Sequence, residues 1–235
     1  MCVLTFVPTA SNGFILTNNR DENSSRPKAL APKKYHAGGS SIYYPKDAKA
    51  EGTWIATSQK YTLCLLNGAF EKHVPKESYF KSRGHVILDF FNHQNFELLC
   101  NNNFDGIENF TLIFIENEAK NIFQLVWNGL KLDVQNLIWN EAQIWSSCTL
   151  YNQAIRQKRA ELFYQYLSNN PNPDYTQLID FHRFTDIGSI ENNLIMKRND
   201  GTITQCISQI ENLDNGIRFT YYDLLDSHKK SLIII

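Results

Sequence analysis

Short apolar runs separated by turn residues dominate the chain, and in two regions the spacing lengthens to a helical period. The first two runs, residues 3–7 and 14–16, flank Pro8, Thr9, Ala10, Ser11, Asn12 and Gly13. Asn-Gly between β-prone runs marks a hairpin, because both residues tolerate the positive φ of a tight turn. If the turn centres between Ala10 and Asn12, reflection sets residue 2 across from a residue between Asn18 and Glu22. Residues 23–34, rich in Ser, Pro and Lys, read as a loop. Strands are predicted at 52–58 and 61–67. In the second, the continuous run Leu63-Cys64-Leu65-Leu66 suits a strand covered on both faces.

A helical period runs over 77–93, with Phe80, Val86, Ile87, Phe90 and Phe91 mostly on one side, and a shorter helix follows at 96–100. Strands are predicted at 110–116, 121–127 and 130–137, the last two joined at Asn128-Gly129, with a short strand end at 143–147. Helices at 152–167 and 175–181 flank the breaking segment 169–173. Strands at 194–197 and 202–207, joined at Asp200-Gly201, and a strand at 218–222 complete the pattern. His228-Lys229-Lys230 reads as a solvated turn. The pattern specifies an α+β protein whose elements run strands, two helices, strands, two helices, strands.

At 235 residues the chain is most simply one domain, residues 1–235, and its 43% hydrophobic content can supply a substantial core. With 23 Lys plus Arg against 24 Asp plus Glu and a pI near 6.6, nothing asks for nucleic acid or an anionic membrane as partner. No apolar run approaches the roughly 20 residues of a membrane span. The five cysteines at 2, 64, 100, 148 and 206 include no Cys-x-x-Cys pair. That argues against a disulfide framework and a zinc site, and the six histidines show no metal-ligand spacing either. Cys64, Cys100 and Cys206 lie in or beside apolar runs, as core residues do. His73 and His85 read as ordinary surface or helix-edge residues. No signal peptide is visible, so the expected compartment is the cytoplasm.

Candidate chemistry gathers at the start of the chain. Removing Met1 leaves Cys2 with a thiol and a free α-amine. The thiol has an ordinary pKa of about 8.5 and the amine of about 7.7–8.0, so one residue holds both a nucleophile and a base. Hairpin reflection brings Arg20 and Asp21 toward it. A guanidinium favours the thiolate, and a carboxylate can hold the ammonium or orient a substrate. Taken singly, a cysteine at position 2 is ordinary, and an Arg-Asp pair at a strand end is usually a solvated ion pair. Their convergence makes the site proposal.

At these residues the chain resembles the NRDE family, the transport and Golgi organisation protein 2-like proteins. The resemblance rests on Met1-Cys2, the hairpin and Asn19-Arg20-Asp21-Glu22. It extends through Arg26-Pro27, Gly52-Thr53-Trp54-Ile55-Ala56, Leu66-Asn67-Gly68, Ser82-Arg83-Gly84 and Ile144-Trp145-Ser146-Ser147 to the C-terminal strands. That family is similar to the cysteine N-terminal nucleophile hydrolases, which include penicillin V acylase and bile salt hydrolase. The resemblance implies a four-layer αββα sandwich of two antiparallel sheets.

It also implies a cysteine amidohydrolase acting on a non-peptide C–N bond of a small molecule. Cys2 is then the nucleophile, Arg20 and Asp21 order the site, and no cofactor is needed. Asn67 is read either as an oxyanion donor or as a turn residue before glycine. Asn19, Glu22, Ser146 and Ser147 are candidate substrate contacts. The related acylases are expected to carry an asparagine near these serines, and this chain has none there. Aminolysis of the same acyl-enzyme would make an acyltransferase. Because family members have been linked to heme handling, the alternative function is a non-catalytic carrier of an apolar ligand such as heme.

Overall fold

The computed structural model describes residues 3–213 and 216–234. Within them the chain forms two compact units, one built from residues 1–26 and 140–235 and the other from 27–139. Each unit has its own antiparallel sheet and its own pair of helices. The expected α+β class, with two large antiparallel sheets and few helices, is what the chain adopts.

The first unit begins with the hairpin of β1 (Val3–Pro8) and β2 (Phe14–Asn23). Its turn is closed by Thr9 N–H to Gly13 O at 3.0 Å, with Asn12 at φ 65°. Later residues add β10 (Gln143–Ser146), β11 (Thr202–Leu213), β12 (Gly216–Asp223) and β13 (His228–Ile234). The strand order is β10-β1-β2-β11-β12-β13, with every pairing antiparallel. Helices α3 (Gln153–Asn169) and α4 (Tyr175–Phe184) lie on one face of this sheet. There Val3, Val7 and Ile15 form a buried cluster with Phe163, Leu178, Phe181 and Leu194. Asn152 caps α3, and Asp174 with Gln177 forms a capping box on α4.

The second unit orders β3 (Leu30–Ala37), β4 (Ser40–Lys46), β5 (Ile55–Thr57), β6 (Tyr61–Asn67), β7 (Phe110–Glu116), β8 (Asn121–Trp127) and β9 (Leu132–Leu137) side by side in chain order. Helices α1 (Gly84–His93) and α2 (Phe96–Cys100) cover one face. Phe90 packs edge-on against Tyr61 and Phe114, and Phe96 sits on Phe114 and Phe123. The apolar run of β6 is buried on both faces, as its sequence predicts.

Four segments depart from the sequence reading. Residues 23–34 are not one loop, because β2 runs to Asn23 and β3 starts at Leu30. As an edge strand, β3 carries Pro32, Lys33 and Lys34, the residue types that discourage edge-to-edge pairing but also resemble loop composition. The predicted helix over 77–93 starts only at Gly84. Before it, Phe80 N–H donates to Gly106 O, Lys81 bridges Ile107, and Phe80 is 92% exposed instead of lying on the apolar stripe. Gly84 O accepts from Thr53 N–H, and a Cβ on Gly84 would lie 2.7 Å from Thr53 O. Glycine there permits the backbone contact that fixes the helix start. Residues 194–197 contribute only an isolated bridge, Lys197 to Ile203. Finally, His228-Lys229-Lys230 opens β13 instead of forming a turn.

Candidate functional site

The site is set by how β1 sits between its neighbours. Val3 is opposite Ser146 on one side and Asn19 on the other, and Asn19 is opposite Ile207. One step further along β2, Arg20 is opposite Cys206 and Asp21 opposite Thr204. The register shifts between Thr204 and Cys206, leaving Gln205 as the extra residue of a bulge. Bulges of this kind re-aim a side chain, and here Gln205 Oε1 accepts a hydrogen bond from Arg20 Nη1. Cys2 lies outside the described residues.

Strand alternation divides Asn19-Arg20-Asp21-Glu22 between two faces. Asn19 and Asp21 point toward the helices. Asn19 Nδ2 donates to Leu194 O at 2.8 Å and to His182 O at 3.2 Å, and its Oδ1 is 2.7 Å from His182 Nδ1. His182 Nε2 is 2.8 Å from Thr5 Oγ1, so the imidazole bridges β1, β2 and α4. Burial, with Arg159 adding to it, lowers the His182 pKa to about 3 and keeps the ring neutral. Asp21 Oδ1 accepts from Thr204 Oγ1 at 2.5 Å and Oδ2 from Tyr151 OH at 3.1 Å. Arg159 and Arg198 lie over the Tyr151 ring, 3.6 and 5.0 Å from its centroid. Asn19 and Asp21 therefore fasten β2 to the helical layer. Asn19→Leu is expected to destabilise the fold by about 2–4 kcal/mol by stranding His182 and two carbonyls. Urea unfolding of the variant reads this as a lower midpoint at unchanged slope. A loss below about 0.5 kcal/mol would contradict the fastening role.

Arg20 and Glu22 alternate to the other face. Arg20 is 3% exposed and Glu22 29%, and Nη2 of Arg20 lies 3.5 Å from Glu22 Oε2. Glu22 also meets Arg26 at 3.6 Å. Arg20 is thus a buried cation that meets an amide oxygen and a part-exposed carboxylate. Beside it the Cys206 thiol is pushed up to about 12, chiefly by burial, with Arg20 pulling the other way.

The remaining candidates fall elsewhere. Ser146 ends β10 opposite Val3, and its buried Oγ has no hydrogen-bond partner among the described residues. Ser147 is buried, with its Oγ 2.8 Å from Thr149 Oγ1. Asn67 belongs to the second unit. It ends β6 opposite Phe110, and the following Gly68 turns the chain at φ 90°. Sequence reasoning did not single out Asn18, Tyr151, His182, Thr204 or Gln205. The period-two rule, applied within the tetrapeptide, was the available signal that Asn19 and Asp21 need partners on one face and Arg20 on the other. Among the described residues no group of three or more His, Cys, Asp or Glu could hold a metal ion, and no helix is long and apolar enough to cross a membrane.

A sheet-rich α+β chain whose second strand carries Asn19-Arg20-Asp21-Glu22 just before its end, with Asn19 paired to the first strand, defines the class of protein. The chain belongs to the Transport and Golgi organisation 2 family, whose family model matches residues 1–217. A search of curated proteins returns no match.

Proposed function

We propose that the chain is a cysteine N-terminal nucleophile amidohydrolase acting on the C–N bond of a small amide, with Cys2 as nucleophile after removal of Met1. The observation that carries this reading is the register Val3↔Asn19, with buried Arg20 next along β2. The hairpin expected from the sequence brings Cys2 toward Arg20. The guanidinium then favours the thiolate, and the α-amine takes the thiol proton. Sulfur attacks the carbonyl carbon, and the negative oxygen is held by amide donors, for which the Ser146–Ser147 region is the candidate within the same unit. Collapse breaks the C–N bond as the ammonium returns its proton to the leaving nitrogen. Water then cleaves the thioester and restores the thiol.

Other thiols suit the role less well. Burial raises the pKa of Cys64, Cys100 and Cys206, which keeps them protonated at neutral pH. In this scheme Asn19 and Asp21 position β2, while Arg20 acts on the thiol and Glu22, beside Arg20, faces the substrate.

The test is intact mass after exposure of processed protein to a panel of acylated amines. An adduct of acyl mass on the Cys2 peptide, absent in Cys2→Ala, is the expected result. No adduct across the panel, together with equally tight heme binding by wild type and Cys2→Ala, would replace the hydrolase with a carrier.

A further inference from the structure

On the β2 face that carries Arg20, three neighbouring strands are apolar to one level and polar beyond it. Leu16, Ile210 and Phe219 form the last apolar row, all fully buried. The next row is Asn18, Ser208 and Tyr221, and the one after it Arg20, Cys206 and Asp223. None of these six is more than 4% exposed. A sheet gains nothing in stability from replacing apolar core with buried amide, hydroxyl and charge, so such a change at one end of a face points to a ligand.

Two atoms sharpen this. Asn18 Oδ1 and Ser208 Oγ have no hydrogen-bond partner among the described residues, although the two residues are directly paired across β2 and β11. The orientation of Asn18 is chemically fixed. Its Nδ2 donates to Val3 O at 2.9 Å, and a carbonyl can only accept, so the oxygen of the side chain points elsewhere. An acceptor is thereby held on the Leu4–Asn18 row of the hairpin with no donor among the described residues. Because neither atom reaches solvent, the group that satisfies them is neutral; an ammonium would lose its hydration without a paired charge.

We propose that Asn18 Oδ1 accepts the N–H of the scissile secondary amide, and that Ser208 Oγ binds a second polar atom on the amine side of the substrate. The assignment rests on the N-terminal nucleophile reading above and narrows it to amides that carry a hydrogen on nitrogen. With the N–H held by Asn18, the nitrogen lone pair points away from Asn18. As the C–N bond breaks, that lone pair takes the proton from the Cys2 ammonium, and the amine departs neutral. Asn18 supplies no electrons or protons; it fixes which side of the nitrogen is free.

The experiment compares an anilide with the phenyl ester of the same acid, which lacks the N–H, in wild type, Asn18→Leu and Ser208→Ala, with each fold checked by thermal melting. Asn18→Leu is expected to lower kcat/KM for the anilide by about 10–100-fold while changing the ester less than threefold, since a site built to pair a donor discriminates by that donor. Ser208→Ala is expected to shift the same ratio by about three- to tenfold. Equal losses on both substrates would overturn the assignment while leaving the hydrolase reading intact. If Asn18→Leu does not fold, an unchanged anilide-to-ester ratio in Ser208→Ala overturns it. Absence of any acyl-enzyme in wild type would overturn both.

Discussion

Retention of Met1 is expected to reduce turnover by about 10²–10⁴-fold without disturbing the fold, the range that general-base assistance contributes. A bulky residue inserted after Met1 blocks processing and turns the α-nitrogen into an amide, which cannot accept the thiol proton. Thiol probes should still label the unprocessed protein slowly, because sulfur is present and Arg20 still favours its anion. Cys2→Ala should lose both labelling and turnover. Arg20→Ala should mainly slow labelling, by removing the cation that favours thiolate. Turnover by the Met1-bearing protein as fast as by the processed one would rule out an N-terminal base.

Acidification is the second large effect. His182 is neutral in the fold with its pKa lowered to about 3, whereas in the unfolded chain it titrates near 6.5. The unfolded state therefore binds the extra proton first as pH falls. The stability held through neutral His182 is complete above about pH 6.5 and is lost progressively toward pH 3, below which both states are protonated. At pH 4 the loss is on the order of 3 kcal/mol from this residue. Urea midpoints measured from pH 7 to pH 4 should show the decline. His182→Gln should be less stable at pH 7 but should have a flatter slope across the same range. An unchanged slope in that variant would mean that other groups set the acid sensitivity.

The opening hairpin was legible in detail because its geometry is local. The Asn12-Gly13 signal and reflection about Ser11 give the pairing Val3↔Asn19. The strands over 61–67, 110–116 and 121–127 were legible because continuous burial leaves continuous apolar runs. Two of the four edge strands were not: β3 and β13 carry Lys and Pro or His that protect an unpaired edge and read as loop. Nor was the partnership of Asn19 with His182, 163 residues away, or the Gln205 bulge that holds Arg20. No local pattern encodes which distant residue completes a buried polar pair. Arg20 and Asp21 point to opposite faces of β2, because adjacent strand residues alternate, and the expectation that both lie beside Cys2 falls on a residue outside those described.

The first unit is assembled from the two ends of the chain, and Thr17 is bonded to Gln209 across 192 positions. The strands of the second unit pair only among themselves, between Leu30 and Leu137. As the polypeptide leaves the ribosome, the intervening sheet can close while β1 and β2 still lack β10 and β11. β1 and β2, paired with each other, are then the last strands to gain their outer partners. They spend most of synthesis with an apolar hairpin and an open strand edge, the condition under which chaperones engage and aggregation begins. Chains cut short before Thr202 never acquire the strand that supplies Gln205 and Cys206. Truncation before β11 thereby removes the setting of Arg20.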